Sequence, residues 1–144
     1  MTTPLYTNAI LRLAASIPHE GRLPEPHGSA ETRSQVCGSR ITVDVHIRDG
    51  RIAALGQEVG ACALGQASAA LMGAHAVGCT AAEIAEARDA LADYLVGRRD
   101  DPGDWPGLDI FAAARSHHSR HAAILLPFDA AAEAAAQVVS GPMT

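Results

Sequence analysis

Between Arg40 and Arg48 apolar and polar residues alternate without a break: Ile41, Val43, Val45 and Ile47 are interleaved with Thr42, Asp44, His46 and Arg48. A period of two puts the two sets on opposite faces of a strand, so this segment is a strand with one face toward a core. Asp49-Gly50 comes next, a pair suited to the positive φ angles of a two-residue hairpin turn. Residues 51–59 then return as the second strand, with Gly56 read as a bulge. A third strand is expected at 34–36, after an extended loop over 19–34 in which Pro24 and Pro26 bar regular structure.

The rest of the chain follows the helical period. Ile10, Leu13, Ala14 and Ile17 define one amphipathic helix that starts near Thr7-Asn8 and stops at Pro18. From Cys62 the run ALGQASAALMGAHAVG predicts a tightly packed helix of small residues. Thr80-Ala81-Ala82-Glu83 is a capping box for a third helix carrying Ile84, Ala87, Leu91 and Leu95 on one face, closed by Gly97. After the turn-rich RRDDPGDWPG comes a short helix over 108–115. A last, alanine-rich helix runs from the ILLPF region to Val139, with His121 near its start. Strands followed by helices imply an α+β fold: a small antiparallel three-stranded sheet with helices packed on one face. At 144 residues, one domain over 1–144 is the expectation.

Composition narrows the function classes. With 48% hydrophobic and 19% charged residues the chain has the means to build a core. The net charge is −5, every basic residue is Arg, and the arginines are scattered, which excludes a duplex-binding surface. The apolar stretch at the N-terminus is interrupted by Asn8, Arg12 and Ser16, and nothing reaches the ~20 apolar residues of a membrane span, so a cytoplasmic protein is expected. Three cysteines, Cys37, Cys62 and Cys79, are an odd count without an export signal, and this favours reduced thiols over a disulfide framework.

In a hairpin turning at Asp49-Gly50, residues whose numbers add to about 99 face each other. Cys37 and Cys62 would then share the hairpin's open end, roughly 5 Å apart. Cys62 also falls at a helix start, where unpaired N–H groups favour an anion. His121 can join them if its helix packs against the same end. Two thiolates and an imidazole leave a fourth position open on a tetrahedral ion such as zinc.

These motifs resemble the NifU N-terminal-domain family, the IscU and SufU type of iron-sulfur cluster assembly scaffolds. The likeness runs over nearly the whole chain, from about residue 5 to 139. CGSRITVDVHIRDGRI resembles the family's first-cysteine motif, and GACALGQASAALM is similar to the second in its SufU-like form. SRHAAILLPFDA falls where the family carries its third cysteine. That cysteine is replaced by Ala122, and the family's Asp two residues after the first cysteine is replaced by Ser39. The resemblance implies the SufE/NifU-like fold, no enzymatic turnover, and binding of an iron-sulfur cluster or a zinc or iron ion through Cys37, Cys62 and His121. It also implies a cysteine desulfurase and recipient iron-sulfur proteins as partners. Because a two-iron cluster takes four protein ligands, this set would need a further donor.

Two other functions compete with that one. The chain could be a degenerate zinc-binding module that modulates a desulfurase or another scaffold. It could also be a cysteine hydrolase or transferase with Cys62 as nucleophile and His121 as base, although no orienting Asn or Asp and no oxyanion motif can be assigned. The remaining candidates have plainer roles. His117 and His118 are expected in solvent, Cys79 in packing, His46 on an exposed strand face and His75 in the interior. Residues 98–101 are read as a solvated charge run, and Trp105 as the anchor of its loop.

Overall fold

The computed structural model describes residues 5–34 and 38–139. Three antiparallel strands, β1 (Gly28–Arg33), β2 (Arg40–Arg48) and β3 (Arg51–Gly60), form a sheet in the order β1-β2-β3. Among the described residues four helices accompany it: α1 (Asn8–Ala14), α2 (Ala63–His75), α3 (Ala81–Leu95) and α4 (His121–Val139), with short 3₁₀ segments between α3 and α4. This is the α+β arrangement that strand and helix periodicity predict.

Alternation along β2 works as expected. Ile41, Val43 and Val45 are fully buried and join Ile52, Leu55, Leu64, Met72, Ile124 and Phe128 in a core between the sheet and the helices. Asp49 and Gly50 both have positive φ, +55° and +77°, as a primed hairpin turn requires. Thr80 and Glu83 form the reciprocal capping box at the start of α3. The Trp105 indole N–H donates to the Leu71 carbonyl at 2.9 Å, which pins the 98–107 connection to α2.

Several expectations need correction. The third strand lies at 28–33 rather than 34–36, so the loop expected over 19–34 ends at Gly28; residues 35–37 are outside the described residues. The first helix ends at Ala14, short of Pro18. Gly56 is no bulge: it pairs with Asp44, and the register shift falls between His46 and Ile47, opposite Ala53. Gly56 serves a close approach instead, since a Cβ there would stand 2.6 Å from the Gly21 carbonyl oxygen. That contact belongs to the 19–27 segment, which bonds to the free edge of β3 through Gln57 and covers the sheet face away from the helices. His46 is accordingly half-buried, with Nε2 3.1 Å from the Pro24 carbonyl oxygen. His75, expected inside, is exposed at the end of α2.

On that covered face Asp44 is a buried carboxylate. It accepts from Arg22 Nε at 2.6 Å, Ser29 Oγ at 2.6 Å and the Leu23 N–H at 3.0 Å. Burial opposes its charge, but these donors prevail and hold its pKa below the usual carboxylate value.

Candidate functional site

The ends of three elements converge at one corner of the fold. Cys62 is the N-cap of α2, and its side chain makes no capping bond. Its thiol is half-buried and unoxidised. One turn later Gly65 lies against the first turn of α4: a Cβ there would be 3.3 Å from the Ala123 carbonyl oxygen and 2.7 Å from the Ala61 Cβ. Pro127 has no N–H to give that carbonyl, so the glycine packs against a backbone oxygen that lacks its i+4 helical donor. Ser68, a further turn along, donates from Oγ to the Ile124 carbonyl at 2.5 Å. The small residues of GQASAA therefore set the start of α2 against the start of α4, where His121 stands.

The β1–β2 connection heads for the same corner. Strand β1 runs opposite to α4: Ser29 bonds Gln137, and farther along the Thr32 hydroxyl donates to the Leu126 carbonyl at 3.1 Å. Its course carries the chain from the end of α4 toward its beginning. Ser34 and Ser39, both buried, are joined across the connection by the Ser34 N–H donating to the Ser39 carbonyl at 2.9 Å. Cys37, the first predicted ligand, lies outside the described residues. The register arithmetic behind its pairing with Cys62 does not hold. Partner numbers add to 99 only beside the turn and to 100 from His46–Ala54 to Arg40–Gly60, because Ala53 is the extra residue.

His121 is buried, and its Nε2 lies 2.8 Å from the Ala114 carbonyl oxygen. A carbonyl can only accept, so in the neutral ring the proton sits on Nε2 and the lone pair on Nδ1. That backbone bond is the kind that fixes ring orientation in metal-binding histidines. The His118 ring lies 5.2 Å from it, and His117 and His118 are exposed, as expected. Ala122, at the vacated cysteine position, is half-buried.

The donor types suit a soft or borderline ion: a thiol free of capping bonds and an imidazole with an available Nδ1 fit zinc or iron. Among the described residues no three His, Cys, Asp or Glu side chains form a metal-holding group, so any complete set must draw on Cys37 or on a donor from outside. Cys79 is no substitute. It lies past the far end of the 13-residue α2, which spans ~20 Å. Its thiol faces the His75 carbonyl at 3.2 Å, and burial, aided by Glu83, raises its pKa.

Sequence reasoning singles out Cys62 and His121 as candidates but not Gly65 and Ser68, whose only signal is the small-residue run. It also missed a cavity of about 400 Å3 at the hairpin's open end, lined by Arg33, Ser34, Gly38, Ser39, Arg40 and Gly60. No helix among the described residues is long and apolar enough to cross a membrane.

No protein-family model matches the chain, and no curated protein does. Solved structures do. The chain is similar to a nitrogen-fixing NifU-like protein (N-terminal) from Brucella abortus, with 37% identity, 96% of each chain covered and a TM-score of 0.90. It also resembles a putative iron-sulfur cluster assembly scaffold protein for the SUF system from the thermophile Fervidobacterium islandicum. That likeness, at 21% identity over 88% of this chain and 93% of the other with a TM-score of 0.82, speaks for the fold alone. The chain belongs to the family of NifU-like N-terminal domains.

Proposed function

We propose that this protein is a scaffold or carrier in iron-sulfur cluster assembly. Its cargo, a cluster or an iron or zinc ion, is held by Cys37, Cys62 and His121, and the protein carries out no turnover of its own. The single observation that carries this reading is the seam between α2 and α4. There Gly65 and Ser68 hold the uncapped Cys62 end against the His121 end, and the Ala114 carbonyl leaves Nδ1 of His121 as the ring's donor atom. The description of the Fervidobacterium protein as a putative iron-sulfur cluster assembly scaffold agrees with it. A cysteine desulfurase as sulfur donor and iron-sulfur proteins as recipients follow by family likeness.

Anaerobic reconstitution with iron and sulfide tests the reading. Wild-type protein should develop sulfide-to-iron charge-transfer absorption, and Cys62→Ser should not. Wild type that stays colourless excludes cluster assembly.

A second reading has its own support in Ala122. With the third cysteine replaced, a single zinc ion needs fewer protein donors than a two-iron cluster. On this reading the protein is a zinc-bound interaction module that modulates a desulfurase or another scaffold. Metal and acid-labile sulfide analysis of anaerobically purified protein separates the two: stoichiometric zinc without sulfide favours the module, and iron with equal sulfide favours the scaffold.

A further inference from the structure

We infer that two copies of this chain pair edge to edge through β1, in a single register selected by charge. The inference stands apart from the cargo reading above and needs no metal. Alternate residues of an antiparallel strand turn their N–H and C=O groups to the same side. The Ser34 N–H reaches the Ser39 carbonyl across the β1–β2 connection, so the even-numbered residues of β1 bond β2, and Ser29, Glu31 and Arg33 turn outward. Ser29 is satisfied there. Its N–H donates to Gln137 Oε1 at 3.0 Å and its carbonyl accepts from Gln137 Nε2 at 2.7 Å, so one carboxamide stands in for a neighbouring strand. The backbone N–H and C=O groups of Glu31 and Arg33 have no such partner among the described residues. An open edge of this kind is a template for another strand.

The side chains decide which strand fits. The Thr32 hydroxyl reaches α4, so its neighbours Glu31 and Arg33 lie on the opposite sheet face, where both are exposed and Glu31 Oε1 is 2.7 Å from Arg33 Nε. Edge charges of one sign keep copies of a chain apart, but here the two signs alternate. In an antiparallel pair centred on Thr32, Glu31 of each copy stands opposite Arg33 of the other. Each such pair exchanges two backbone hydrogen bonds and sets a carboxylate across from a guanidinium. Other registers are disfavoured. One centred on Glu31 opposes two carboxylates and requires the edge of Ser29, which Gln137 occupies. One centred on Arg33 opposes two guanidinium groups, each already facing Arg40 on its other side. The edge is thus complementary to itself in both hydrogen bonding and charge, which singles out a second copy as its occupant.

A two-fold axis at Thr32 closes the interface on itself, so pairs form and fibres do not. Each β1 runs toward its own Cys62–His121 corner, and the two corners therefore lie at opposite ends of the joined sheet, both open. The contact falls well short of the ~1,600 Å2 of a stable complex, so the pair is a transient one, with a dissociation constant on the order of 0.1 mM.

Sedimentation velocity on metal-free protein from about 10 μM to about 1 mM provides the test, bracketing that constant. Wild type should pass from monomer to dimer across the range. Glu31→Arg makes both edge charges positive and Arg33→Glu makes both negative, so each variant alone should dissociate at least about tenfold more readily. An equimolar mixture of the two should pair again, because every edge contact then joins opposite charges. The Glu31 and Arg33 amides of wild type should also gain protection from hydrogen exchange as concentration rises. If Glu31→Arg, which groups three arginines, fails to fold, Arg33→Glu keeps Arg40 as its neighbour and carries the comparison alone. Wild type that stays monomeric at the highest concentration overturns the proposal and leaves the edge to a different partner. A dimer that survives Arg33→Glu, or folded variants whose mixture does not associate, places any interface elsewhere and overturns it equally.

Discussion

Substituting Gly65 by alanine sets two effects of opposite sign against each other at the seam that positions the site. In a helix, alanine is favoured over glycine by at most ~1 kcal/mol, through backbone entropy and propensity. Here the added methyl would stand 2.7 Å from the Ala61 Cβ and 3.3 Å from the Ala123 carbonyl oxygen. Neither neighbour is the end of a flexible side chain, so the backbones must part, and overpacking of this kind costs about 1–3 kcal/mol. The clash should win by about 1 kcal/mol, lowering the thermal midpoint by roughly 3–4 °C for a domain of this size. Because the same movement separates Cys62 from His121, zinc affinity measured against a chromophoric chelator should fall by about tenfold, a loss of ~1.4 kcal/mol. Adding Ala61→Gly removes the nearer contact and should recover most of both losses, as residues in direct contact are non-additive. A Gly65→Ala protein with a raised midpoint, or one that is destabilised while zinc affinity is unchanged, would refute the seam as the element that positions the ligands.

Two further outcomes follow from other residues. Asp44→Ala leaves the Leu23 N–H and the Ser29 hydroxyl without their acceptor, while Arg22, whose side chain is half exposed, regains water. The expected loss is about 3 kcal/mol by urea denaturation, and less than 1 kcal/mol would show that the 19–27 segment is held by packing alone. Since Asp44 titrates below the usual carboxylate value when folded, its contribution is complete above the unfolded value of about 3.9. It should disappear as pH falls through the lower folded value, and the Asp44→Ala protein should lack that acid-limb step. Ala122→Cys restores a thiol at the first turn of α4. It should tighten zinc binding at least about tenfold at pH 7, where a fourth protein donor replaces an outside one. Unchanged affinity in a protein whose zinc is lost on Cys62→Ser would place residue 122 away from the ion.

What could be read from the residues depended on whether a position's role left a mark in its own side chain. The alternation of β2, the turn at Asp49-Gly50, the Thr80–Glu83 box and the N-cap position of Cys62 did so, because local geometry selects those residue types. Strand β1 did not. Its sequence GSAETR has little apolar signal because α4 passes so close that the partner positions must be small: a Cβ on Gly28 would collide with the Ala134 carbonyl. Gly56 showed the opposite ambiguity. Glycine in a strand marks either a bulge or a close backbone approach, and only the position of Gly21 decides between them, while the real bulge at Ala53 carries no glycine. That one-residue slip is also why pairing arithmetic carried past Arg40 and Gly60 misplaced the opposite partner of residue 37. The charge of Asp44 was hidden for a related reason. A polar residue on the polar face of a strand reads as solvated, yet the 19–27 segment covers that face and brings its own arginine. The candidate site follows the same logic: Cys62 and His121 stand out in the sequence as possible donors, but the approach of the helix ends that carry them depends on Gly65, Ser68 and Pro127, residues whose contribution is the absence of a side chain, a short hydroxyl and a missing N–H. Ala122 is half-buried in the first turn of α4 beside that seam, so a thiol or a methyl at this position can be exchanged without touching the contacts of Gly65 and Ser68.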